Sequence, residues 1–369
     1  MGDIFAWGLW WPWRDGNTVS MRVGIGGNAG PRLEMRLSET ARLQETNGAK
    51  LTFEQLLAKY QEQKVHEIQE STLGNYMHLL KLYALPSLRK KQVAAISAED
   101  VSRILNELRN RGLTPSTVNT VRARLIDVFK FAHHRRFIEH APTEFIKRHR
   151  ASGQTNTMVH EPWGKDEAIA ALSAFQGTQL DAFMSFAIGL GMRKGEILGL
   201  RWSDLDFELD QFHVQRSRGE KRIINEKGEF TSRVIEGEPK TESSNRVLPL
   251  TPEVRAALER LRERLSNRGF EPGPDDYLVV TDENQPLSLS TLHRTYKRVT
   301  TEAGIRRIRI HDIRHTAAVL ALQAGVPLIA VSETFGHSGI EITRRTYAPK
   351  VPGLSRQFSS AMSKALAEM

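Results

Sequence analysis

The stretch from Arg309 to Tyr347 reads RIHDIRHTAAVLALQAGVPLIAVSETFGHSGIEITRRTY. Its apolar spacing predicts a first helix that Gly325 ends with a left-handed cap and a second helix that Gly336 ends. His311 and Arg314 are three residues apart in the first turn of the first helix, so their side chains share a face. Three helices joined by short turns would bring these two side chains close to a second histidine and a tyrosine.

The predicted core faces of the three helices consist of small and branched apolar side chains. The first helix contributes Ala317, Leu320, Ala321 and Ala324, and the second, starting near Pro327, contributes Ile329, Ala330 and Phe335. Ser338 is placed to cap the third helix, which runs through Ile340 and Ile342. Tyr347 is expected at or just past the end of that helix, before Pro349.

Tyr347 lies in a cationic part of the sequence, and this suits it to attack a phosphate. A phenol with a pKa of about 10 is a poor nucleophile at neutral pH unless neighbouring cations stabilise its anion. Guanidinium groups stay charged and offer a planar fork to two phosphate oxygens. Two ordinary interpretations remain open: Tyr347 could be structural, and His311 with His315 could form part of a zinc site. The sequence contains no cysteine, and no carboxylate accompanies the histidine pair at zinc-protease spacing, so we expect no metal.

Three motifs in this stretch resemble the C-terminal signature of the tyrosine recombinase (phage integrase) family. They are HDIRH at 311–315, FGHS at 335–338, and Tyr347. The family also has an arginine in a Gly-x-Arg-x-x-Glu turn and a lysine in a β-hairpin. Residues 191–200, GMRKGEILGL, resemble the first of these, and residues 239–250, PKTESSNRVLPL, resemble the second.

The resemblance implies a catalytic set and a supporting set of residues. The catalytic set is Arg193, Lys240, His311, Arg314, His337 and Tyr347, and the supporting set is Glu196 and His315. In such an enzyme the arginines would bind the scissile phosphate, the tyrosine would attack it, and Lys240 would protonate the leaving 5′-oxygen. His311 is expected to transfer a proton to or from the tyrosine, and His337 to hydrogen-bond the phosphate. Lys221 and Lys227 are rivals to Lys240.

The implied activity is site-specific DNA strand exchange by the integrase of a mobile element, through a 3′-phosphotyrosine and a Holliday junction. Four protomers would act as a homotetramer on paired sites in double-stranded DNA, and no cofactor would be needed. An accessory or directionality factor could take part. The alternatives are a Xer-type dimer resolvase, a type IB topoisomerase-like relaxing enzyme and a non-cleaving DNA-binding regulator.

The bulk composition is that of a globular protein with a polyanionic partner. The chain has 369 residues, 40% hydrophobic and 26% charged, with a net charge of +9. This length suggests two or more domains. The absence of cysteine excludes disulfides and cysteine nucleophiles and fits a reducing cytoplasm. With the resemblance to a DNA recombinase, we expect a cytoplasmic, nucleoid-associated location.

We predict a mainly α fold with a small β-sheet. The resemblance implies an N-terminal all-α core-binding (SAM-like) domain and an α+β catalytic domain that together form a C-shaped clamp. The expected divisions are an arm-like or disordered extension at 1–48, the core-binding domain at 49–150, a linker at 151–159, the catalytic domain at 160–350 and a tail at 351–369. Phe358, Met362 and Leu366 predict a tail helix, which could pack on an adjacent protomer or fold back onto its own domain.

Capping and alternation patterns predict several local elements. In the first domain Thr52, Ser71 or Thr72, and Ser97 are expected to cap helices, and Thr114-Pro115 to begin a long one. In the second, alternation from Phe207 to Val214 predicts a strand, and residues 221–234 an inserted hairpin. Tyr296 and His293 are expected to be structural or to face DNA.

Basic side chains outnumber acidic ones between Leu51 and Arg150, so much of the excess charge of the chain lies in the core-binding segment. A row of these side chains could follow a phosphate backbone, or could be an ordinary solvated surface. The candidate DNA-binding residues are Arg89, Lys90, Lys91, Arg122, Arg124, Lys130, Arg135 and Arg136, with Arg294 and Lys297 in the catalytic domain.

Overall fold

The computed structural model describes residues 50–149, 161–225, 229–237, 245–336 and 339–347. The chain divides into two compact units: residues 1–67 with 79–149, and residues 68–78 with 150–369. The sequence-based divisions at 48, 150 and 350 stay predictions. The extension at 1–48, most of the linker and the tail at 351–369 lie outside the described residues.

The described part of the first unit is helical. Its α-helices are α1 (Phe53–Lys64), α2 (Glu70–Tyr83, which the division assigns partly to the second unit), α3 (Leu85–Leu88), α4 (Ala98–Asn110) and α5 (Pro115–His134), with a 3-10 turn at Val93–Ala95.

Capping side chains set the start of most of these helices. The hydroxyl groups of Thr52 and Ser97 each accept a hydrogen bond from the backbone N–H three residues on, and both helices have a full capping box. Thr114 caps α5, whose first residue is a proline. These three predictions are confirmed. The prediction for the second helix was wrong, because α2 already begins at Glu70 and Ser71 lies inside it, buried.

Aromatic side chains from α1 and α5 fill the core of the first unit. The rings of Phe53 and Phe129 lie 5.9 Å apart, and those of Tyr60 and Phe131 lie 5.6 Å apart. The phenol of Tyr60 donates a hydrogen bond to the Asp127 carboxylate, so this buried polar atom has a partner. These contacts join the first and last helices of the unit.

The described part of the second unit combines helices with two small sheets. The helices are α6 (Lys165–Phe175), α7 (Asp181–Gly189), α8 (Lys194–Leu198), α9 (Pro252–Ser266), α10 (Leu289–Glu302), α11 (Ile310–Gln323), α12 (Leu328–Phe335) and α13 (Ile340–Tyr347). The strands are β1 (Leu205–Asp206), β2 (Gln211–Val214), β3 (Ser217–Ile224), β4 (Phe230–Gly237) and β5 (Arg246–Pro249), and a 3-10 turn spans Trp202–Asp204.

Both sheets are antiparallel. One has the order β1-β2-β5, with Phe212 opposite Leu248, and the other is the β3-β4 hairpin, from Ser217 opposite Gly237 to Ile224 opposite Phe230. The β3-β4 pair confirms the hairpin predicted at 221–234, although its strands reach further than these residues. That the hairpin is an insertion stays a prediction. The predicted mainly helical fold class with small sheets is likewise confirmed.

The predicted strand from Phe207 to Val214 was partly wrong. Residues 207–210 form a turn between β1 and β2, and only residues 211–214 are extended. The Asp206 carboxylate accepts hydrogen bonds from the backbone N–H groups of Glu208 and Leu209, and this fixes the turn. Leu209 is therefore exposed, despite its place in the alternating pattern.

The helix α7 lies at the centre of the second core. All its residues but the last are buried, and it packs against α6, α9 and α11. Its N-terminal Asp181 is bound by Arg260 of α9 through two hydrogen bonds of 2.7 and 2.9 Å. Helix α11, packed on this core, carries the site described below. Among the described residues, no helix combines the length and the apolar character needed to cross a membrane.

Candidate active site

Arg314 lies on the buried face of α11 and is only 4% exposed. Its guanidinium donates hydrogen bonds of 2.7 Å to the backbone carbonyls of Gly191 and Phe335, and it lies 4.3 Å from the centre of the Phe335 ring. Burial, together with the nearby charge of Arg193, lowers the pKa of Arg314 to about 10. The group remains a cation at neutral pH, so a positive charge is held in a partly dehydrated position.

Gly191 has a role that another residue could not fill. It follows the end of α7 with φ at +60°, and a Cβ atom built on it would lie 2.2 Å from the Phe335 ring. Both the left-handed backbone and the close approach therefore require glycine. The carbonyl of this residue is the one that accepts from Arg314, so the same turn aims a hydrogen-bond acceptor into the site.

Arg193, two residues on, binds the same region from the other side. One guanidinium nitrogen donates to the Glu196 carboxylate at 2.7 Å, and another donates to the backbone carbonyl of Gly336 at 2.8 Å. Gly336 is the left-handed residue that ends α12, as predicted, and it directly follows Phe335. The two arginines thus bind successive carbonyls of one helix terminus, which brings both charges to the same place.

Arg246 is a site residue to which sequence reasoning gave no role. It lies at the start of β5, where it donates to Glu196 at 3.0 Å and to the backbone carbonyl of Thr334 at 2.8 Å. Burial would raise the pKa of Glu196, but the hydrogen bonds and charges of Arg246 and Arg193 outweigh this effect and hold that pKa below its usual value. The available signal was the arginine of the Lys-Thr-x-x-Ser-x-Arg run, the first residue of a strand.

Tyr347 is the last residue of α13 and is 2% exposed. Its hydroxyl oxygen lies 3.0 Å from Nδ1 of His315, and its ring lies edge-on to Phe335 at 6.3 Å. Burial raises the pKa of the phenol above its ordinary value, and the charge and hydrogen bond of Arg314, with the charge of Arg193, oppose this rise without cancelling it. Tyrosine, both arginines and a histidine therefore meet around the end of α12.

The histidine against the phenol is His315, although the sequence led us to expect this place for His311. The His311 ring lies 5.5 Å from the His315 ring, edge to face, one helical turn before it. Desolvation and the charge of Arg314 lower the pKa of His311, so this side chain is neutral at physiological pH. Helix α13 brings Tyr347 to the second histidine of the HDIRH motif.

Two of the predicted catalytic residues, Lys240 and His337, lie outside the described residues, as does the rival Lys227. The other rival, Lys221, lies in β3 opposite Arg233. The structure groups Arg193, Glu196, Arg314, His315 and Tyr347. Among the described residues no cluster of three or more histidine, aspartate or glutamate side chains could hold a metal ion.

Several predicted DNA-binding residues are engaged within the first unit. Arg89 pairs with Glu54 at 2.8 Å, Lys91 pairs with Asp100, and Arg122 donates to the carbonyl of Ile146. Arg135 donates to Gln63, and Arg124 lies 3.9 Å from Asp127. The exposed members of the set are Arg89, Lys90, Lys130, Arg135, Arg136, Arg294 and Lys297.

Tyr296, which we expected to be structural or to face DNA, has a structural position. It is buried, its hydroxyl donates to the carbonyl of Ile308 at 3.1 Å, and its ring stacks on Phe175 at 5.8 Å. Its neighbour one turn earlier, His293, is exposed.

Two family models match this chain. The model of the phage integrase family matches residues 165–352, and the model of the phage integrase central domain matches residues 53–149.

Curated relatives extend the likeness over most of the chain. A XerC-like tyrosine recombinase of Caldanaerobacter subterraneus subsp. tengcongensis is 30% identical over 77% of this chain and 73% of the relative. The ICEBs1 integrase of Bacillus subtilis is 22% identical over 79% of this chain and 77% of the relative.

A solved structure shows the same fold. It is the Tn1549 transposon integrase in complex with a circular intermediate DNA, with a TM-score of 0.67 and 21% identity over 85% of this chain and 99% of that one.

Proposed function

The chain belongs to the phage integrase family of tyrosine recombinases, and from this premise we propose that it exchanges DNA strands between two specific sites of a mobile element. Membership makes it a site-specific enzyme that cleaves and rejoins DNA. The observation that carries the finer proposal is the position of the Tyr347 phenol between His315 and the buried cation of Arg314.

Arg193 and Arg314 bind the non-bridging oxygens of the scissile phosphate. Both guanidinium groups already lie at one helix end, where they donate to the carbonyls of Phe335 and Gly336. A phosphate that enters the site accepts hydrogen bonds from these two guanidinium groups. Because these groups are held in place before the reaction, they stabilise the additional charge of the five-coordinate transition state with little reorganisation.

Tyr347 attacks the phosphorus, which leaves a 3′-phosphotyrosine and a free 5′-hydroxyl. In the same proposal Lys240 protonates the leaving 5′-oxygen and His337 donates a hydrogen bond to the phosphate. Glu196 holds Arg193 in place through the contact described above. The phosphotyrosine retains the energy of the broken phosphodiester bond, so this cycle needs no ATP and no metal.

The 5′-hydroxyl of a partner strand can reverse the cleavage and thereby exchange strands. Two duplexes with two cleavable strands each require four active sites, so we propose a homotetramer on paired DNA sites that passes through a Holliday junction. Residues 49–150 and the catalytic domain at 160–350 would each bind DNA. The tail at 351–369 would pack on the adjacent protomer. The enzyme would be cytoplasmic and associated with the nucleoid.

Recombination between element ends tests this proposal against its alternatives. The protein is incubated with a plasmid that carries both ends of the element flanking its gene, and recombinant junctions are sequenced. We expect defined junctions with the wild type and none with Tyr347→Phe. Relaxation of plasmids that lack the ends would indicate a topoisomerase, and site binding without any covalent adduct would indicate a regulator.

The Xer-type alternative keeps a specific support, because the XerC-like relative reaches 30% identity. A resolvase recombines two copies of one chromosomal or plasmid site, whereas an integrase joins an element end to a different host site. The ICEBs1 integrase, as a relative named for a mobile element, supports the second possibility. Recombination of a second plasmid that carries two identical sites, with none between the element ends, would decide for the resolvase.

A further inference from the structure

A side chain that can accept a proton lies beside the Tyr347 hydroxyl, on α11. Nδ1 of His315 lies 3.0 Å from the phenol oxygen, within hydrogen-bond range, and the two rings are 5.4 Å apart. A neutral imidazole has one nitrogen that donates and one that accepts. The phenol can therefore donate to His315 only in the tautomer whose proton is on Nε2.

Asp312 favours that tautomer. Its carboxylate is fully buried, and Oδ1 lies 3.9 Å from Nε2 of His315. Arg309 donates hydrogen bonds of 2.8 and 3.0 Å to the two carboxylate oxygens, which stabilises the charged form of Asp312 and fixes its orientation. A negative charge on the Nε2 side favours a proton there and stabilises an imidazolium once Nδ1 has accepted a second proton.

The charged and titratable groups around His315 lie on α11 and α13. His311 and Asp312 lie on its own helix, and Tyr347 comes from α13. Arg314 and Arg193 are positive and act on the phenol. Arginine stays protonated near neutral pH and so stabilises a phenolate without accepting its proton. The proton needs a different acceptor.

We propose that His315 is a catalytic residue that accepts the phenolic proton of Tyr347, with Asp312 as its positioning residue. This assignment rests on the proposed phosphotyrosine chemistry. As the bond from the tyrosine oxygen to phosphorus forms, the phenol O–H bond breaks and its proton moves to Nδ1. The bond from phosphorus to the 5′-oxygen breaks, and that oxygen takes a different proton. In the reverse step the imidazolium returns its proton to Tyr347.

A substrate with sulfur in place of the bridging 5′-oxygen separates this role from that of a leaving-group acid. A thiolate leaves without protonation, so the substrate restores the rate of a variant that lacks the acid but not of one that lacks the base. Adduct formation on both substrates is timed for the wild type, His315→Asn and His311→Asn, between about pH 5 and about pH 9. Asparagine places its amide near the position of Nδ1 and keeps a hydrogen bond, but it cannot take up a proton.

We expect His315→Asn to slow adduct formation on the order of 100-fold on both substrates. This variant should also lose the acidic limb of the pH profile, which is the fall in rate as the pH is lowered. His311→Asn should keep that limb. Asp312→Asn should move it to lower pH, because an imidazole without a neighbouring carboxylate is a weaker base. A wild-type rate and acidic limb in His315→Asn, or rescue of that variant by sulfur, would overturn the assignment.

Two controls keep the outcome interpretable. Thermal unfolding and DNA binding are measured for every variant. If His315→Asn does not fold, the test rests on His315→Gln and on the shift of the acidic limb in Asp312→Asn. An unmoved limb in Asp312→Asn would then overturn the assignment. If the wild type forms no adduct even on the sulfur substrate, the proposed function fails and takes this assignment with it. Failure of His315 alone would leave adduct formation by the wild type intact.

Discussion

At the scale of single residues, the site depends on a few polar groups whose geometry the surrounding backbone determines. Arg193, Arg246 and Arg314 all donate to carbonyls within residues 334–336, the last turn of α12 and its cap. A helix C-terminus leaves carbonyls without partners in the helix, and here three arginines satisfy them. The partial negative charge of the helix end also favours these cations.

Arg246 should be worth more to stability than an ordinary surface arginine. Replacing it in Arg246→Gln leaves the buried Glu196 carboxylate with one charged partner fewer, which should lower the free energy of unfolding by about 3 kcal/mol. The matched control is Arg298→Gln, whose pair with Glu302 is exposed on both sides and should contribute less than about 0.5 kcal/mol. Urea unfolding measures both, and equal effects would contradict the role given to Arg246.

Gly191→Ala should combine backbone strain with a steric clash. The strain of a left-handed alanine costs about 1 kcal/mol, and displacing the Phe335 ring should add about 1–3 kcal/mol. Gly304→Ala is the control, because Gly304 has a similar φ of +65° and the described part of the chain places no atom within 4 Å of the added Cβ. Thermal unfolding should show the larger loss for Gly191→Ala. Equal losses would mean that the ring gives way freely.

The sequence predicted which residues belong to the site better than it predicted which of them contact one another. Arg193, Glu196, Arg314 and Tyr347 could be named from motifs that resemble those of the family, and the structure places them together. The pairing of Tyr347 with His315 could not, because it depends on where α13 approaches α11. Helical spacing states only which residues share a face of one helix.

At the scale of elements, the helices around the site are buried more completely than amphipathic spacing suggests. Nearly every residue of α11 from Asp312 to Val319 is inaccessible, so periodicity could not single out a core face. The predicted core positions Ala324 and Ile329 are exposed, because Ala324 lies at the helix end and Ile329 on the outer side of α12. Caps were predicted more reliably, since a cap is a local interaction.

The segment before α6 is attached to the core by Trp163. Its backbone N–H donates to Thr316 of α11 at 2.9 Å, and its indole N–H donates to the carbonyl of Arg306 at 2.7 Å. Trp163→Phe should therefore lower the free energy of unfolding by about 2 kcal/mol, because the smaller ring fills less of the core and the carbonyl of Arg306 loses its hydrogen bond.

Trp202→Phe is the matched control for that substitution. The indole N–H of Trp202 is buried and has no hydrogen-bond partner among the residues that the structure describes, so its removal forfeits no bond seen there. Chemical denaturation of both variants should show the smaller loss for Trp202→Phe. A loss at Trp202 as large as that at Trp163 would contradict the importance given to the bond with Arg306.

At the scale of the whole molecule, composition pointed to a polyanionic partner but could not identify the residues that bind it. Arg89 and Lys91 were natural candidates because they lie in a basic run, yet each faces a carboxylate in its own unit. Such pairing depends on tertiary structure and leaves no mark in the sequence. The division into a helical unit and a mixed unit was easier to predict, because helix caps and strand alternation are local signals.

Salt dependence of DNA binding should distinguish the two kinds of basic side chain. We expect Lys130→Gln, at an exposed site, to reduce the slope of log affinity against log salt by about 1. Arg89→Gln should change it less, because Glu54 already compensates the charge of Arg89. Fluorescence anisotropy at several salt concentrations measures both slopes. A larger effect for Arg89 would show that its ion pair opens to bind DNA.

The most direct test of the central claim is to identify the residue that becomes linked to DNA. The adduct formed with a nicked site is digested with protease and nuclease, and the peptide that carries a nucleotide is sequenced by mass spectrometry. We predict a 3′-linked nucleotide on the peptide that contains Tyr347, and no adduct in Tyr347→Phe. A nucleotide on any other residue, or an undiminished adduct in the phenylalanine variant, would contradict the account.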